Sequence, residues 1–326
     1  MHPILKLLAA SLLLTPATAQ RPVYTPATHN LPPPLLANAN GAEVAAYAEL
    51  GIQIERDRPA RDTLAEHRRL SATLAALQPQ RRGVVDAYVV AVALDSDPVF
   101  GREAREAGRV LARRYDAAGR TIVLAGTDGA APSALPMGSP ASLSLALARV
   151  AELMDTREDV LVLYLTAHGA PIGIVYNDGD QGYGAIAPAR LWRLLREVGI
   201  ANRLLLISAC YSGTFVPMLM SGGTAIVTAS AADRTSFGCR ADNDWTYFGD
   251  ALINRALRKP QPLARAAEEA RGSVARWERQ DRLEPSDPQV NIGRDAERWL
   301  AALERRLPAA TQPVGRPAVD EPAGRR

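Results

Sequence analysis

Two reactive side chains each follow an apolar stretch of the chain. His168 lies three residues beyond the stretch 160–165 (VLVLYL), and Cys210 lies three residues beyond the stretch 204–207 (LLLI). A thiol and an imidazole brought together can catalyse acyl transfer, because the thiolate is a nucleophile and the imidazole moves the proton. The sequence therefore predicts Cys210 as a nucleophile towards peptide carbonyls, with His168 as its acid–base partner.

The pattern around these stretches predicts an α/β fold with a mainly parallel sheet between helices. Apolar, β-branched runs typical of buried strands lie at 84–94, 121–125, 160–165, 204–207 and 225–228. Segments with helical spacing alternate with them, at 104–115, 139–154, 188–197, 245–257 and 262–279. Ligands bind such sheets at the carboxyl ends of the strands. If the strands before His168 and Cys210 are neighbours, both side chains face one cleft.

Glycines follow both reactive residues, Gly169 at once and Gly213 three residues after Cys210. Backbone amides near Gly169 and Cys210 are therefore candidates for holding the negative oxygen that develops during acyl transfer. Gly169 suits that place because a side chain there would crowd the substrate carbonyl.

Structural roles for the same residues are the main alternative. A lone cysteine after an apolar strand is more often a buried, inert side chain, and a lone histidine is more often structural. The joint occurrence of both motifs favours catalysis. No three-residue Cys/His spacing is present, so we expect no metal site. Ser212 does not lie in a Gly-x-Ser-x-Gly motif, which disfavours a serine hydrolase of that type.

The two ends of the chain predict export and flexible flanks. Residues 1–19 have a basic start, a short apolar run and Ala17-Thr18-Ala19, as in a cleaved signal peptide. We expect a mature chain that starts near Gln20, in the periplasm or secreted, with no membrane span. Residues 20–83 are predicted to be a linker and helical segment, 84–307 the catalytic domain, and 308–326, rich in Pro and Ala, a disordered tail.

Charge and cysteine content narrow the class further. The net charge is only +3, and no compact basic run is mixed with aromatic residues, so no nucleic-acid partner is expected. The chain has two cysteines, Cys210 and Cys239, and in an exported protein such a pair can form a disulfide. We favour Cys239 as a separate thiol, either buried or at the pocket edge, although a structural or redox-sensitive disulfide remains the alternative.

Four short motifs resemble the legumain family, the asparaginyl endopeptidases of the caspase-like group, over about residues 84–295. The strongest are 165–169 (LTAHG) and 208–213 (SACYSG), and the others are 228–236 (TASAADRTS) and 246–250 (TYFGD). The last two are similar to the bacterial branch in particular. The resemblance implies a caspase-like sheet sandwiched by helices, the dyad of His168 and Cys210, and hydrolysis of peptide or protein substrates without a cofactor.

The resemblance also implies residues that bind the substrate. In the family, an Arg after the first strand recognises the side chain before the scissile bond, and Arg102 is the corresponding candidate here. Ser230 is the candidate for the pocket wall, and Asp242 and Asp244 are candidates for its lining. Family members that prefer asparagine carry an acidic residue two positions before the nucleophile. Here that position is Ser208, which removes a charge from the expected pocket.

Three other functions use the same residues differently. A non-catalytic module would bind peptides or a partner in the same cleft, and retention of both His168 and Cys210 argues against it. A transpeptidase would resolve the acyl-enzyme with an amine instead of water. A purely structural domain would be stabilised by a Cys210–Cys239 disulfide.

Overall fold

Strands and helices alternate along most of the chain, as the sequence predicts. The computed structural model describes residues 39–126, 134–179, 181–240 and 242–319. Within these residues the strands are β1 (Gln53–Glu55), β2 (Ala87–Ala93), β3 (Thr121–Leu124), β4 (Val160–Thr166), β5 (Gly169–Ala170), β6 (Gly173–Asp178), β7 (Gly182–Ile186), β8 (Arg203–Ser208), β9 (Thr224–Thr228) and β10 (Gln289–Ile292). The helices are α1 (Gly41–Leu50), α2 (Ala60–Ala75), α3 (Pro98–Arg114), α4 (Pro140–Leu153), α5 (Pro188–Glu197), α6 (Phe215–Leu219), α7 (Leu263–Gln280) and α8 (Ala296–Glu304).

A six-stranded sheet forms the centre of the fold, in the order β10-β9-β8-β4-β2-β3. All its pairs are parallel except β10 with β9, which is antiparallel. The strands β4 and β8, which precede His168 and Cys210, are direct neighbours, and Thr166 pairs with Ser208. The two reactive residues therefore each follow a matched pair by two positions. The predicted mainly parallel sheet is confirmed.

Helices cover both faces of this sheet because its strands are apolar on both sides. Along β2, Tyr88 and Val90 pack on one face with α4 and α5, whereas Val89 and Ala91 pack on the other with α3 and α7. Every residue of β2 and β4 is buried. This rigid support fixes where the strand ends lie.

A second, antiparallel sheet lies beside the first, in the order β1-β7-β6-β5. Its strand β5 begins at Gly169, directly after His168. The N-terminal strand β1 pairs with β7, and the Arg58 guanidinium lies 2.5 Å from the Asp178 carboxylate of β6. The segment 39–83 thus contributes a strand, β1, to the sheet that begins directly after His168. The sequence analysis predicted only a linker and helices for this segment.

Helix boundaries follow the expected signals where the sequence carries them. At α4, within the helix predicted at 139–154, the Ser139 hydroxyl accepts a hydrogen bond from the Ser142 N–H at 3.0 Å, and Pro140 occupies the first turn. The helix predicted at 245–257 is instead a π-helical segment, Gly249–Arg255, followed by a 3-10 turn, Ala256–Arg258.

The C-terminal segment has a defined path up to residue 319, in contrast to the disorder predicted from residue 308. Val314 exchanges hydrogen bonds with Asn254 at 2.9 and 3.0 Å, and the Ala318 N–H donates to Asp250 at 3.0 Å. The predicted signal peptide, 1–19, and residues 320–326 lie outside the described residues. Among the helices that the structure describes, none combines the length and apolarity needed to cross a membrane.

Candidate active site

The two strand ends that carry His168 and Cys210 are in direct contact. A Cβ placed on Gly169 would lie 2.0 Å from the Cys210 carbonyl oxygen and 3.0 Å from its amide nitrogen. Real Cβ atoms do not approach backbone atoms so closely, so only glycine fits at position 169. The structure thereby brings together His168, Gly169 and Cys210, the predicted catalytic and oxyanion residues.

The chain turns sharply immediately after Cys210. Tyr211 has φ 57°, in the left-handed region that residues other than glycine seldom adopt, and Ser212–Thr214 form a 3-10 turn that leads into α6. The Tyr211 N–H donates to the Arg234 carbonyl at 2.8 Å, which holds the turn. This bend ends β8 and leaves Cys210 at the carboxyl end of the sheet.

The Cys210 thiol is half-buried and surrounded by polar groups of the segment 236–239. The Ser236 N–H donates to Sγ at 3.2 Å, and the Ser236 hydroxyl lies 3.6 Å away. A hydrogen bond from the Cys239 thiol is the largest of the effects that lower the pKa of Cys210, to about 5. Burial opposes it, whereas Ser236 and the charge on His168 act in the same direction. Taken together, these surroundings favour the thiolate form of Cys210.

The His168 ring has two neighbours from the end of β2 and the start of α3. Its Nε2 atom lies 3.2 Å from Oδ2 of Asp97, and the Phe100 ring meets it edge-on, with 5.0 Å between centroids. A carboxylate on one ring nitrogen fixes the orientation of an imidazole and favours its charged form. The sequence alone did not single out Asp97. Its place just beyond the apolar run 84–94 was a signal, but only the strand order shows that this run lies beside β4.

Part of the chain matches a known protein family. Residues 142–294 match the model of the Peptidase C13 family. This stretch of the chain is a Peptidase C13, or legumain-like, domain. It includes both His168 and Cys210, and such a domain is a cysteine-peptidase domain that acts on proteins or peptides. The predicted legumain resemblance is confirmed for this stretch, whereas assignment to the bacterial branch stays a prediction. Asp97 and Arg102 precede the matched residues.

Solved structures of caspases are similar to the chain at low sequence identity. The crystal structure of caspase-1 from Spodoptera frugiperda has a TM-score of 0.43 and 14% identity, covering 67% of this chain and 93% of that chain. The structure of pro-sf-caspase-1 also has a TM-score of 0.43, with 13% identity, covering 65% of this chain and 92% of that chain. No curated protein sequence matches the chain.

Arg102 of the peptidase lies against the loop that precedes Gly249–Arg255. Its guanidinium donates to the Asn243 carbonyl, and its Nε atom lies 3.6 Å from the Asp244 carboxylate. Two of the predicted pocket residues, Arg102 and Asp244, are thus neighbours, and both are partly exposed. Asp242 instead pairs with Arg240 at 3.2 Å on the exposed surface.

The predicted roles of Ser208 and Ser230 in the pocket do not fit the structure. Both side chains are buried, at 2% and 0% exposure. The Ser208 hydroxyl lies 3.1 Å from the Thr246 hydroxyl, and Ser230 and Ser212 exchange backbone-to-hydroxyl hydrogen bonds at 3.2 Å each way. Ser230 therefore supports the loop after Cys210 from within, whereas Ser208 contacts the loop before Gly249–Arg255. Neither buried hydroxyl is presented to a substrate.

A buried carboxylate beneath the peptidase site also escaped sequence reasoning. Glu103 is fully buried, and its Oε1 atom accepts hydrogen bonds from Tyr164 and Thr166 of β4. Its Oε2 atom accepts the Thr246 N–H at 2.9 Å and the Thr246 hydroxyl at 2.8 Å. Glu103 thus ties α3, β4 and the loop before Gly249–Arg255 together. An acidic residue on the apolar face of α3 was the signal for it.

Asp95, Asp97 and His168 place potential metal-ligand atoms within 4.8 Å of one another. The Asp95 carboxylate accepts the Asp97 N–H at 2.9 Å, and Asp97 contacts His168. Contacts within the protein thus account for this arrangement, and we assign it no metal.

Proposed function

We propose that the protein is an exported cysteine endopeptidase that cleaves peptide bonds through Cys210 and His168. The observation that supports this most strongly is the contact between the two strand ends that carry His168 and Cys210, with Gly169 packed on the Cys210 backbone. The surroundings of the thiol also lower its pKa, to about 5. Such a thiol is in its nucleophilic form at neutral pH without a separate deprotonation step.

The proposed reaction has two stages. The Cys210 thiolate attacks the peptide carbonyl carbon, and the backbone amides of Gly169 and Cys210 stabilise the negative oxygen. His168 protonates the leaving amine, which departs and leaves an acyl-enzyme on Cys210. His168 then takes a proton from water, and the hydroxide releases the acyl group. With Nε2 held by Asp97, proton transfer falls to Nδ1 of the same ring.

Substrate recognition is assigned to Arg102 and Asp244. Their side chains form a partly exposed pair of opposite charge. A polar or charged side chain before the scissile bond would exchange hydrogen bonds with this pair. Because Ser208 and Ser230 are buried, we assign recognition to the pair without them.

Cleavage of a peptide library by the mature protein tests the proposal, with Cys210→Ala and His168→Ala as the inactive variants. His67→Ala is a matched control, since His67 lies exposed on α2. We expect cleavage by the wild type and by His67→Ala only. Equal activity in all four proteins would contradict the proposal. Peptide binding without cleavage by the wild type would favour the binding module.

Two further measurements address the finer parts of the proposal. Adding an amine nucleophile to the reaction separates hydrolysis, which yields free carboxylates, from transpeptidation, which yields amides. N-terminal sequencing of the protein made in a cell with a secretion pathway tests export, and a start near Gln20 is expected. An uncleaved Met1 in the cytoplasmic fraction would contradict export.

A further inference from the structure

We propose that Cys239 is a resolving cysteine, which captures Cys210 as an intramolecular disulfide when a peroxide oxidises the nucleophile. The proposal requires a reactive thiolate at Cys210 but does not require peptide cleavage. It gives the second cysteine of the chain a role that the peptidase reaction leaves open.

The segment before Cys239 is fastened to Cys210. The Ser236 N–H donates to Sγ of Cys210 at 3.2 Å, three residues before Cys239. The segment then passes close to the backbone of Thr246 and Tyr247. Gly238 has φ +90°, and a Cβ there would lie 2.8 Å from the Tyr247 nitrogen, so only glycine permits this path. At the end of this segment the Cys239 thiol lies near enough to Cys210 to interact with it, and this interaction lowers the pKa of Cys210.

Packing holds Cys239 at the back of the same site. Its side chain is partly buried against the small cluster of Ala93, Phe100, Ala104 and Ala125, together with Val99. Phe100 is also the ring that meets His168 edge-on. Cys239 is therefore fixed between Cys210 and a neighbour of His168, and both cysteines are free thiols.

The two thiols differ in the way that this chemistry needs. Cys210 is the more readily oxidised, because oxidants react with thiolates. The hydrogen bond to Cys210 raises the pKa of Cys239 well above its usual value, followed by burial and by the charge on Cys210. Oxidation of Cys210 to a sulfenic acid removes both the negative charge and the thiolate that accepts the hydrogen bond. The pKa of Cys239 then falls, and Cys239 becomes a better nucleophile for the next step, its attack on the oxidised Cys210.

The reaction is balanced with hydrogen peroxide or an organic hydroperoxide as the oxidant. The Cys210 thiolate attacks one peroxide oxygen, the O–O bond breaks, and the departing oxygen takes a proton, leaving a sulfenic acid on Cys210. The Cys239 sulfur then attacks the Cys210 sulfur. The S–S bond forms, the S–O bond breaks, and the hydroxyl leaves as water with the Cys239 proton. A dithiol reductant reverses the disulfide.

Peptide mapping by mass spectrometry of the full chain tests this after treatment with hydrogen peroxide. In the wild type we expect a peptide pair linked through Cys210 and Cys239, which dithiothreitol separates. In Cys239→Ser the linked pair is lost, and sulfinic and sulfonic acids accumulate at Cys210. In Cys210→Ser we expect Cys239 to remain a free thiol. Cys239→Ala, which places a small apolar side chain in the alanine-rich cluster, serves if the serine variant does not fold, with peroxide treatment at a pH at which Cys210 of the variant is also a thiolate.

The outcomes separate this proposal from the peptidase proposal. If wild type and Cys239→Ser form the irreversible acids at Cys210 at equal rates, with no linked pair, Cys239 is not a resolving cysteine. Peptide cleavage by the reduced protein is unaffected by that result. If the linked pair forms in a protein that cleaves no peptide, the resolving role stands and the peptidase proposal fails.

Discussion

The His168 imidazole and the Asp97 carboxylate contact each other, with 3.2 Å between Nε2 and Oδ2. The contact exists because β2 and β4 are adjacent parallel strands, paired at Ala93 and Thr166, and their carboxyl ends meet at one edge of the sheet. A carboxylate there stabilises the imidazolium that forms when His168 takes a proton. Asp97 is therefore a positioning residue for the acid–base group.

Replacing Asp97 by Asn should lower kcat/KM for peptide cleavage. The amide keeps the shape of the side chain but loses the charge, and we expect a fall of about a hundredfold, the low end of what a positioned acid–base group contributes. Asp62→Asn, at an exposed site on α2, is the control. An unchanged kcat/KM in Asp97→Asn would mean that Asp97 has no part in catalysis.

Alkylation of Cys210 should follow the ionisation of an unusually acidic thiol. With a pKa of about 5, the labelling rate should rise through half its maximum near pH 5 and stay flat across neutral pH. In Cys239→Ala the largest of the effects that lower this pKa is absent. The midpoint should move up towards the ordinary thiol value of 9.0. Iodoacetamide labelling against pH, mapped to Cys210, measures both curves, and superimposable curves would rule out the thiol–thiol hydrogen bond.

Much of the sheet could be predicted from the sequence, because continuous apolar runs and turn signals mark buried parallel strands. The proximity of His168 and Cys210 could be predicted from their places at two strand ends, which the structure brings together. Asp97 and Glu103 were missed since their contacts depend on which strands are neighbours, and strand order does not appear in the pattern of any one segment. Each becomes an obvious partner only once β2, α3 and β4 are placed together.

Two predictions, a pocket role for Ser208 and disorder from residue 308, differ from the structure for other reasons. A strand-end position predicts proximity to the site, but alternate residues of a strand point to opposite faces. Ser208 turns towards Thr246 and away from any opening. For residues 308–319, the composition predicts disorder, yet the order comes from groups elsewhere in the chain. Trp245 and Asn254 supply the hydrogen bonds that hold Val314, and nothing in the tail itself encodes them.

Glu103 should contribute strongly to the stability of the fold. In Glu103→Ala the donors from Tyr164, Thr166 and Thr246 lose a buried charged acceptor, and we expect a loss of about 3–5 kcal/mol in the free energy of unfolding. Glu103→Gln should cost less, because the amide can point its NH2 group at the hydroxyls of Tyr164 and Thr166, which can rotate to accept it. Urea unfolding measures both variants.

Glu152→Ala is the matched control for Glu103, since Glu152 lies exposed on α4 and pairs only with Arg149 in the contacts that the structure describes. A surface ion pair of this kind contributes at most about 1 kcal/mol. Equal losses at the two positions would show that the Glu103 network does not hold α3 to β4.

Removal of residues 309–326 should loosen the loop that carries Asp244. Three hydrogen bonds hold Val314, from Trp245 at 2.9 Å and with Asn254 in both directions. The Arg316 N–H donates to Asp244 at 2.7 Å, and Asp244 in turn lies beside Arg102. Truncation leaves the buried Asn254 side chain without these partners, which typically costs about 1–3 kcal/mol.

The expected result is a higher KM with a smaller change in kcat, because Asp244 and Arg102 are assigned to substrate binding while Cys210 and His168 keep their supports. Faster hydrogen exchange over residues 242–250 should accompany it. A shorter truncation that removes only 320–326 leaves in place the contacts that the structure describes for Val314 and Arg316, and it is the control. Should both truncations behave alike, or kcat fall with KM unchanged, the tail does not act through the Asp244 loop, and the assignment of Arg102 and Asp244 to substrate recognition loses its support.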